Sequence, residues 1–360
     1  MSNNLHSRRK KFHEKFQNEH RKLRLNCFKL IFTNHPDSRG VEDWVLTLMG
    51  MLLAAGKDVS IGDRFTPEGI NIITECFDDE FVSEIQSAAK RGCKIIIIAT
   101  EHITGNTFNN FHEPTFYERL LLDLTKFKLG RSVLKRTFRR LWRECLNRGC
   151  HSGFFSKRFH NFVKCAKTAQ SIWVAERLQM SNYRQLLGPD QRIVEFPYCW
   201  FEPLNQTVNG RHANGQKTYD LFFSGTLTDY RAQVIRELET AGFSTIKLLP
   251  TTPLFFRNQF ADASRIILDI KQNEDWCYIS NLRVHYHLQR GDFIVSEKRK
   301  NACCLQPYLF QAGDSLFSSI SQLLQEKNNL AQLGCENLER FRSERPASRL
   351  VPELLEHSGL

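Results

Sequence analysis

The sequence predicts an α/β protein with two Rossmann-like, doubly wound parallel-sheet domains. Two series of short apolar strands alternate with helical segments, one before residue 200 and one after residue 218. A polar, Gly- and Asn-rich stretch at residues 204–217 separates the two series and has the composition of a linker. Strands joined by helices have the crossover that parallel neighbours require. We therefore expect one parallel sheet in each half of the chain.

The first series contains four predicted strands within the first hundred residues. They are Phe28–Asn34, Asp58–Asp63, Gly69–Phe77 and Lys94–Glu101. The segment Asp78–Gly92 is predicted to be a helix, because it starts with acidic residues and ends with basic residues and a glycine. Trp44–Gly56 is apolar but shorter than the roughly 18 residues of a membrane span, which predicts a buried helix. Two short strands, 172–175 and 192–199, close this half.

The second series begins with a strand at Tyr219–Gly225. Further strands are predicted at Ser244–Pro250, Ile266–Ile270 and Phe293–Glu297, with helices between them and two helices up to Ser343. We expect a basic N-terminal arm in residues 1–26, an N-terminal domain in 27–203, a linker in 204–217, a C-terminal domain in 218–343 and a tail in 344–360. The tail contains two prolines and is expected either to pack back on the N-terminal domain or to fray.

The charge of the chain points to a phosphate-bearing partner. The formal net charge is +11 and the isoelectric point is about 9.2. Nucleic acid, an anionic lipid surface and a nucleotide-linked substrate all fit. Much of the charge lies in the arm and in residues 127–148, which predict a cationic helix with an aromatic edge. That helix either lies on an anionic membrane or packs on the core with a solvated face.

The cysteines predict a reducing compartment. The chain has 11 cysteines, an odd number, and no C-x-x-C pair. We therefore expect free thiols and a cytoplasmic location, with the basic helix as a peripheral contact to the inner face of the membrane. Metal binding is not expected, because His285 and His287 are spaced i, i+2 and point apart on a helix, and the sequence has no D-x-D motif.

Candidate site residues follow the predicted strands of the second half. Open α/β sheets bind ligands at the carboxyl ends of their strands, which singles out Ser296, Glu297 and Lys298; a solvated strand end is an equally good interpretation. Glu297 would suit a sugar or ribose, because a carboxylate can accept hydrogen bonds from two neighbouring hydroxyls. Arg283, on the preceding helix, either faces a diphosphate or pairs with Asp292 or Glu297.

The segment Phe222–Arg231 has the pattern of a phosphate-binding turn. Gly225 follows a strand and precedes a helix, and Ser224 and Thr226 add hydroxyl donors. Backbone N–H groups at such a turn, together with the positive end of the helix, can hold a phosphate. Arg231 lies about one helical turn further on and could reach the same oxygens. A plain turn explains the pattern equally well.

Four residues of the first half are candidates for a catalytic base. His35 and Asp37 follow the first predicted strand, and Glu101 and His102 follow the strand at 94–101. An inverting group transfer needs a carboxylate or histidine to accept a proton from the acceptor hydroxyl. Asp37 and Glu101 are the stronger candidates, and the sequence does not separate them. For each of the four, a hydrogen-bonded structural role is the alternative, and a retaining reaction would leave them as binding residues.

Three segments together carry a family resemblance: Ile266–Ile270, Arg283–Leu288 and Gly291–Glu297, with Phe222–Arg231 as the opening strand and turn. They resemble the C-terminal domain of bacterial glycosyltransferases of GT-B fold, in the group-1-like branch that acts on surface polysaccharides. Lys271 and Ser280 stand where that pattern usually has histidine and glutamate.

The resemblance implies two lobes that face each other across a cleft, with a nucleotide-sugar donor on the later lobe and a glycan or lipid-linked acceptor on the earlier one. It assigns Ser224, Gly225, Thr226 and Arg231 to the diphosphate side of the donor. No cofactor is implied beyond the nucleotide sugar as substrate. The alternative function is a catalytically inactive scaffold of this fold that binds phosphate-rich partners such as nucleic acid, although the sequence contains no recognised nucleic-acid module.

Overall fold

The computed structural model describes residues 27–31, 42–74, 77–105, 107–108, 150–202, 217–299, 303–326 and 329–360. The described residues form two compact units. One is Asp63–Glu195 with Gly359, and the other combines the described parts of Asn26–Gly62 and Phe196–Ser358 with Leu360. The basic arm, the cationic helix predicted at 127–148, residues 204–216 and the candidates His35 and Asp37 lie outside the described residues.

The strands of the first half are short, with two to six residues each. They are β1 (Cys27–Ile31), β2 (Asp58–Gly62), β3 (Ile70–Thr74), β4 (Lys94–Ala99), β5 (Ile103–Thr104), β6 (Thr107–Phe108), β7 (Ser171–Val174) and β8 (Ile193–Glu195). Six of them form a sheet in the order β2-β1-β3-β4-β7-β8, and β5 pairs with β6 in an antiparallel hairpin. β4 pairs in parallel with β3 and β7, and its residues from Ile95 to Ala99 are buried, as expected for a parallel strand that is covered on both faces.

Helices join these strands. They are α1 (Glu42–Ala54), α2 (Asp79–Lys90), α3 (Cys150–Ala166) and α4 (Met180–Leu187). α2 begins where the sequence predicts, because the Asp78 side chain accepts a hydrogen bond from the Phe81 N–H at 2.8 Å. Its buried residues Phe81, Val82, Ile85 and Ala88 recur at helical spacing and cover one face.

The second sheet has five strands, all paired in parallel. They are β9 (Tyr219–Ser224), β10 (Thr245–Leu248), β11 (Ser264–Asp269), β12 (Ile294–Ser296) and β13 (Phe310–Gln311), in the order β10-β9-β11-β12-β13. The helices of this half are α5 (Asp229–Thr240), α6 (Leu254–Asp262), α7 (Asn281–Gln289), α8 (Leu316–Gln325) and α9 (Leu330–Glu344). Apolar residues of β9, β11 and β12 pack with those of α5 and α8 in one core cluster. The protein is therefore α/β with two parallel sheets flanked by helices, which confirms the predicted fold class and is consistent with two Rossmann-like domains.

The C-terminal tail forms a helix, α10 (Ala347–His357), which packs against α1 within the same unit. Its buried residues Ala347, Val351, Leu354 and Leu355 recur at helical spacing. Pro346 is tolerated because it precedes the helix, while Pro352 lies inside it and lacks one backbone donor. The prolines obscured this helix in the sequence. None of the helices in the described part of the chain is long and apolar enough to cross a membrane.

Candidate functional site

The strand order of the five-stranded sheet creates a switch point between β9 and β11. β9 is the first strand of this half, and its neighbours β10 and β11 lie on opposite sides of it. The chain leaves β9 towards β10 on one side and leaves β11 towards β12 on the other side, so these two connections diverge between β9 and β11. Ligands of open α/β sheets bind in the crevice outside the carboxyl ends of the strands at such a point. β9 ends at Ser224 and β11 ends at Asp269, so the predicted phosphate-binding turn lies beside the end of β11.

Asp269 is the centre of the side-chain cluster at this edge. It is 1% exposed and accepts hydrogen bonds from Arg299 Nη2 at 2.7 Å, Arg283 Nη2 at 2.9 Å and Ser296 Oγ at 2.9 Å. Burial alone would raise the pKa of its carboxyl group, but the charges of Arg299 and Arg283 outweigh burial and lower that pKa. Asp269 is therefore an anion that two guanidinium groups hold in the interior.

Arg283 lies in the first turn of α7 and joins Asp269 to the turn after β9. Its Nη1 donates to the Ser224 carbonyl at 2.7 Å, and its Nη2 also donates to Ser280 Oγ at 2.7 Å. The guanidinium carbon lies 5.0 Å from the ring centroid of Phe223. The sequence left open whether Arg283 faces a ligand or pairs with Asp292 or Glu297; in the structure its carboxylate partner is Asp269.

Gly225 makes this position of Arg283 possible. A Cβ atom on residue 225 would lie 2.4 Å from Arg283 Nη1 and 3.1 Å from the Phe223 ring. Any side chain larger than hydrogen would therefore displace the guanidinium group or the turn. Gly225, which the sequence predicts as part of a phosphate-binding turn, thus also leaves room for the guanidinium group of Arg283.

Arg231, in the first turn of α5, bridges the segments that follow β9 and β11. It is buried, its Nη1 donates to the Thr226 carbonyl at 2.9 Å, and its Nε donates to the carbonyls of Ile270 and Lys271, both at 3.1 Å. Burial and, after it, the nearby charge of Arg283 lower the pKa of Arg231. The predicted residues Ser224, Gly225, Thr226, Arg231 and Arg283 are thus brought together at one edge of the sheet.

Glu297 belongs to the same cluster and does not point to bulk water. It is 8% exposed; its Oε1 accepts from the Tyr230 hydroxyl at 2.7 Å and its Oε2 accepts from the Lys271 N–H at 2.5 Å. Burial and the hydrogen bond to Glu297 raise the pKa of Tyr230, so that the hydroxyl remains a donor. Both carboxylate oxygens therefore already accept a hydrogen bond from the protein.

The three residues predicted at the end of β12 separate in the structure. Ser296 and Glu297 are buried in the cluster. The Lys298 side chain is 65% exposed and pairs with the exposed Asp314 at 2.7 Å. The structure therefore does not bring Lys298 to the buried cluster.

The cluster carries more positive than negative charge. Three guanidinium groups (Arg231, Arg283, Arg299) and two carboxylates (Asp269, Glu297) leave one excess positive charge. α5 begins at the same edge, where the Thr228 hydroxyl accepts from the Arg231 N–H at 3.3 Å. A helix N-terminus beside an excess of guanidinium charge favours an anion, and phosphate oxygens match the donor geometry of arginine.

Glu101 and His102 lie after β4, within the other unit. The Glu101 carboxylate forms an ion pair with Arg158, and its carbonyl accepts from the Tyr183 hydroxyl at 2.7 Å. Burial lowers the pKa of His102 to about 4, although the charge of Glu101 opposes the shift. Glu101 is thus bound to an arginine, and the His102 imidazole is neutral at neutral pH.

Three residues of the cluster are not among those predicted from the sequence: Asp269, Arg299 and Tyr230. The sequence does carry a signal for Asp269, because it lies next to the end of a predicted strand, Ile266–Ile270, and the carboxyl edge of that sheet is where a ligand is expected. Arg299 holds the loop before α7 through the Tyr278 carbonyl, at 2.5 Å. The sequence carries no local signal for that contact, because the two residues are distant in the chain.

The predicted histidine pair has two separate structural roles. Both residues are buried; His285 Nε2 lies 2.9 Å from the Cys199 carbonyl and His287 Nδ1 lies 2.7 Å from Asp292 Oδ2. In the described ranges, no group of three or more His, Cys, Asp or Glu residues is placed to hold a metal ion.

No protein-family model matches the sequence, and no curated protein matches it. One similar solved structure is the N-terminal domain of Candida albicans trehalose-6-phosphate phosphatase, with 8% identity and a TM-score of 0.43 over 92% of this chain and 96% of that chain. Another is Phytolacca americana UGT2 complexed with UDP-2fluoro-glucose and pterostilbene, with 10% identity and a TM-score of 0.34 over 90% of this chain and 80% of that chain.

Proposed function

We propose that the protein is a glycosyltransferase that binds a nucleotide-sugar donor at the carboxyl edge of the five-stranded sheet. The observation that carries the proposal is the arginine-rich cluster at the switch point between β9 and β11. A nucleotide sugar carries its negative charge on phosphate, and the excess guanidinium charge matches it. The resemblance of the same strands to group-1-like GT-B glycosyltransferases of surface-polysaccharide type is in keeping with this assignment.

In this proposal, the segment Ser224–Thr226 and the N-terminus of α5 bind the phosphates, with Arg283 and Arg231 beside them. Arg283 also stabilises the negative charge that develops on the leaving nucleotide, which is an electrostatic contribution fixed in place before the reaction. Glu297 accepts hydrogen bonds from sugar or ribose hydroxyls, for which it must exchange the contact with Tyr230 or Lys271. Lys298 would reach the donor only by leaving Asp314.

The acceptor is proposed to be a glycan or a lipid-linked glycan, and the sugar is transferred without a bound metal ion. The base for the acceptor hydroxyl is proposed to be Asp37 or Glu101, with His35 and His102 as the further candidates. Of the two that the structure describes, Glu101 must release Arg158 before it can contact an acceptor hydroxyl, because the ion pair engages its carboxylate. A peripheral contact of residues 127–148 with an anionic membrane and a cytoplasmic location complete the proposal.

A second candidate function has its own support in the structure. Both oxygens of Glu297 already accept hydrogen bonds, and Lys271 and Ser280 depart from the pattern of the family. These features favour a scaffold that binds phosphate-rich partners, such as nucleic acid, without transferring a sugar.

Thermal unfolding with a panel of UDP, GDP and CMP compounds and their sugars tests the proposal. A nucleotide that binds the native state stabilises it by about 2.7 kcal/mol at a hundred times its dissociation constant. Arg283→Gln should abolish this stabilisation. The matched control is Arg236→Gln, which changes an exposed arginine of α5 and should leave the stabilisation in place.

Two outcomes decide between the functions. Saturable stabilisation by one nucleotide, with turnover of its sugar conjugate, supports the transferase. Steeply salt-dependent binding to oligonucleotides without any nucleotide stabilisation supports the scaffold and contradicts the proposed function.

A further inference from the structure

A cavity lies at the amino edge of the five-stranded sheet, opposite the arginine-rich cluster. Its volume is about 180 Å³. It is lined by Lys217, two residues before β9, by the first half of β11, by the turn before β12 and by the first residues of α9. The lining residues that the argument uses are Lys217, Arg265, Asp292 and Ala331. β11 separates the two edges by roughly 17 Å, because five steps of strand span that length.

Lys217 brings unused hydrogen-bond donors to this cavity. Its ammonium group donates one hydrogen bond, to the Asp262 carbonyl at 2.8 Å, and among the described residues it forms no ion pair. An ammonium group has three donors, so two of them remain for a ligand. Burial lowers the pKa of Lys217, although the charges of Asp292 and Asp262 oppose the shift.

The carboxylates near Lys217 have partners of their own. Asp292 accepts from Arg290 Nε at 2.9 Å and from His287 Nδ1 at 2.7 Å, and Asp262 forms an ion pair with Arg290. Arg265, the second cation of the wall, lies 3.7 Å from an Asp220 oxygen, which is too long for a hydrogen bond. Both contacts of Asp292 are to its Oδ2. Lys217 and Arg265 therefore keep hydrogen-bond donors that the neighbouring carboxylates do not take.

The volume of the cavity suits a compact molecule, since a cavity of about 150 Å³ holds one benzene molecule. An apolar ligand would leave the unused donors of Lys217 without acceptors. A molecule that carries its own oxygen acceptors and a negative charge satisfies both cations. The positive end of α9, whose first residues form part of the wall, favours the same sign of charge.

We infer that this cavity is a second binding site, which takes a compact oxyanion, either a phosphate or a small carboxylate. Lys217 donates to the oxyanion and Arg265 pairs with it. The site lies away from the proposed donor-binding cluster and stands independently of the proposed function.

Isothermal titration of the full chain with inorganic phosphate and, separately, with acetate tests the inference at constant ionic strength. We expect saturable binding of at least one of the two, and the preferred ion distinguishes a phosphate from a carboxylate ligand. Lys217→Gln should weaken this binding at least tenfold. Ala331→Glu, which places a carboxylate in the wall, should weaken it to a similar extent and decides the question if Lys217→Gln fails to fold.

Two control variants separate this site from the other anion site and from surface charge. Arg283→Gln removes an arginine of the opposite edge, and Lys247→Gln removes an exposed lysine of β10 that pairs with Glu239. Lys247→Gln should bind the ion as the wild type does, and Arg283→Gln should keep the binding that Lys217→Gln weakens. The inference is overturned if neither ion binds saturably, if Lys217→Gln and Ala331→Glu bind like the wild type, or if only Arg283→Gln loses the binding.

Discussion

Neutralising Asp269 should destabilise the protein strongly. Asp269→Asn keeps the size of the side chain but removes the charge that Arg283 and Arg299 contact at 2.9 and 2.7 Å. Three guanidinium groups would then face a single carboxylate. The NH₂ group of the new amide would also face the N–H donors of one of the arginines. Removing one partner of a buried ion pair costs about 3–5 kcal/mol. For a chain of 360 residues that unfolds as one unit, with an unfolding entropy of about 2.1 cal/mol/K per residue, that is a decrease in melting temperature of roughly 4–7 °C.

The pH dependence of the same variant tests the cause. The pKa of Asp269 is lowered in the folded state, so its contribution to the free energy of unfolding is present above its unfolded pKa of about 3.9. The contribution is lost as the pH falls from there towards the lowered folded pKa. The difference in stability between wild type and Asp269→Asn should therefore be constant at neutral pH and shrink below about pH 4.

Chemical and thermal unfolding followed by circular dichroism measures this difference. Asp314→Asn is the matched control, because it removes an aspartate whose side chain is 94% exposed and which pairs with Lys298; it should leave the melting temperature unchanged. A loss of less than about 1 kcal/mol in Asp269→Asn would refute the reasoning, since even a neutral buried hydrogen bond is worth that much.

Three further predictions concern single residues. Tyr230→Phe should cost about 1 kcal/mol of stability and, if Glu297 binds sugar or ribose hydroxyls, raise nucleotide affinity in calorimetry, because it releases Oε1 of Glu297. Gly225→Ala should weaken nucleotide binding at least tenfold, because its Cβ would lie 2.4 Å from Arg283 Nη1. Burial lowers the pKa of His285 to about 4, so stability should fall between pH 6.5 and 4 by up to about 1.4 kcal/mol per pH unit, and His285→Gln should flatten this slope in unfolding experiments.

Each of these predictions has a control in the same chain. Tyr219→Phe changes a tyrosine at the opposite edge of the sheet and should not alter nucleotide affinity. Gly313→Ala places its Cβ 3.8 Å from the nearest atom, Ser319 Oγ, and should be tolerated. His357→Gln changes an exposed histidine and should leave the acid slope as it is. A variant that behaves like its control contradicts the corresponding prediction.

The sequence was sufficient for the secondary structure of the described part of the chain wherever apolar pattern and helix signals agreed. The run KIIIIA forms β4, and Asp78 caps α2 as its position predicts. The pattern failed where the elements were short or broken by proline. The hairpin β5–β6, the two-residue strand β13 and the helix α10 were not predicted, because their stability comes from packing rather than from local preference.

The sequence alone determined the fold class and the edge of the sheet that carries the candidate site, because alternating strands and helices dictate parallel pairing and the carboxyl ends of parallel strands share one edge. Only the tertiary structure decided which side chains meet there. In the tertiary structure Arg283 pairs with Asp269, and both carboxylate oxygens of Glu297 accept hydrogen bonds from the protein. The Lys298 side chain is exposed to solvent. These pairings join residues that are distant in the chain, and their choice depends on which groups burial removes from water, which no local pattern encodes.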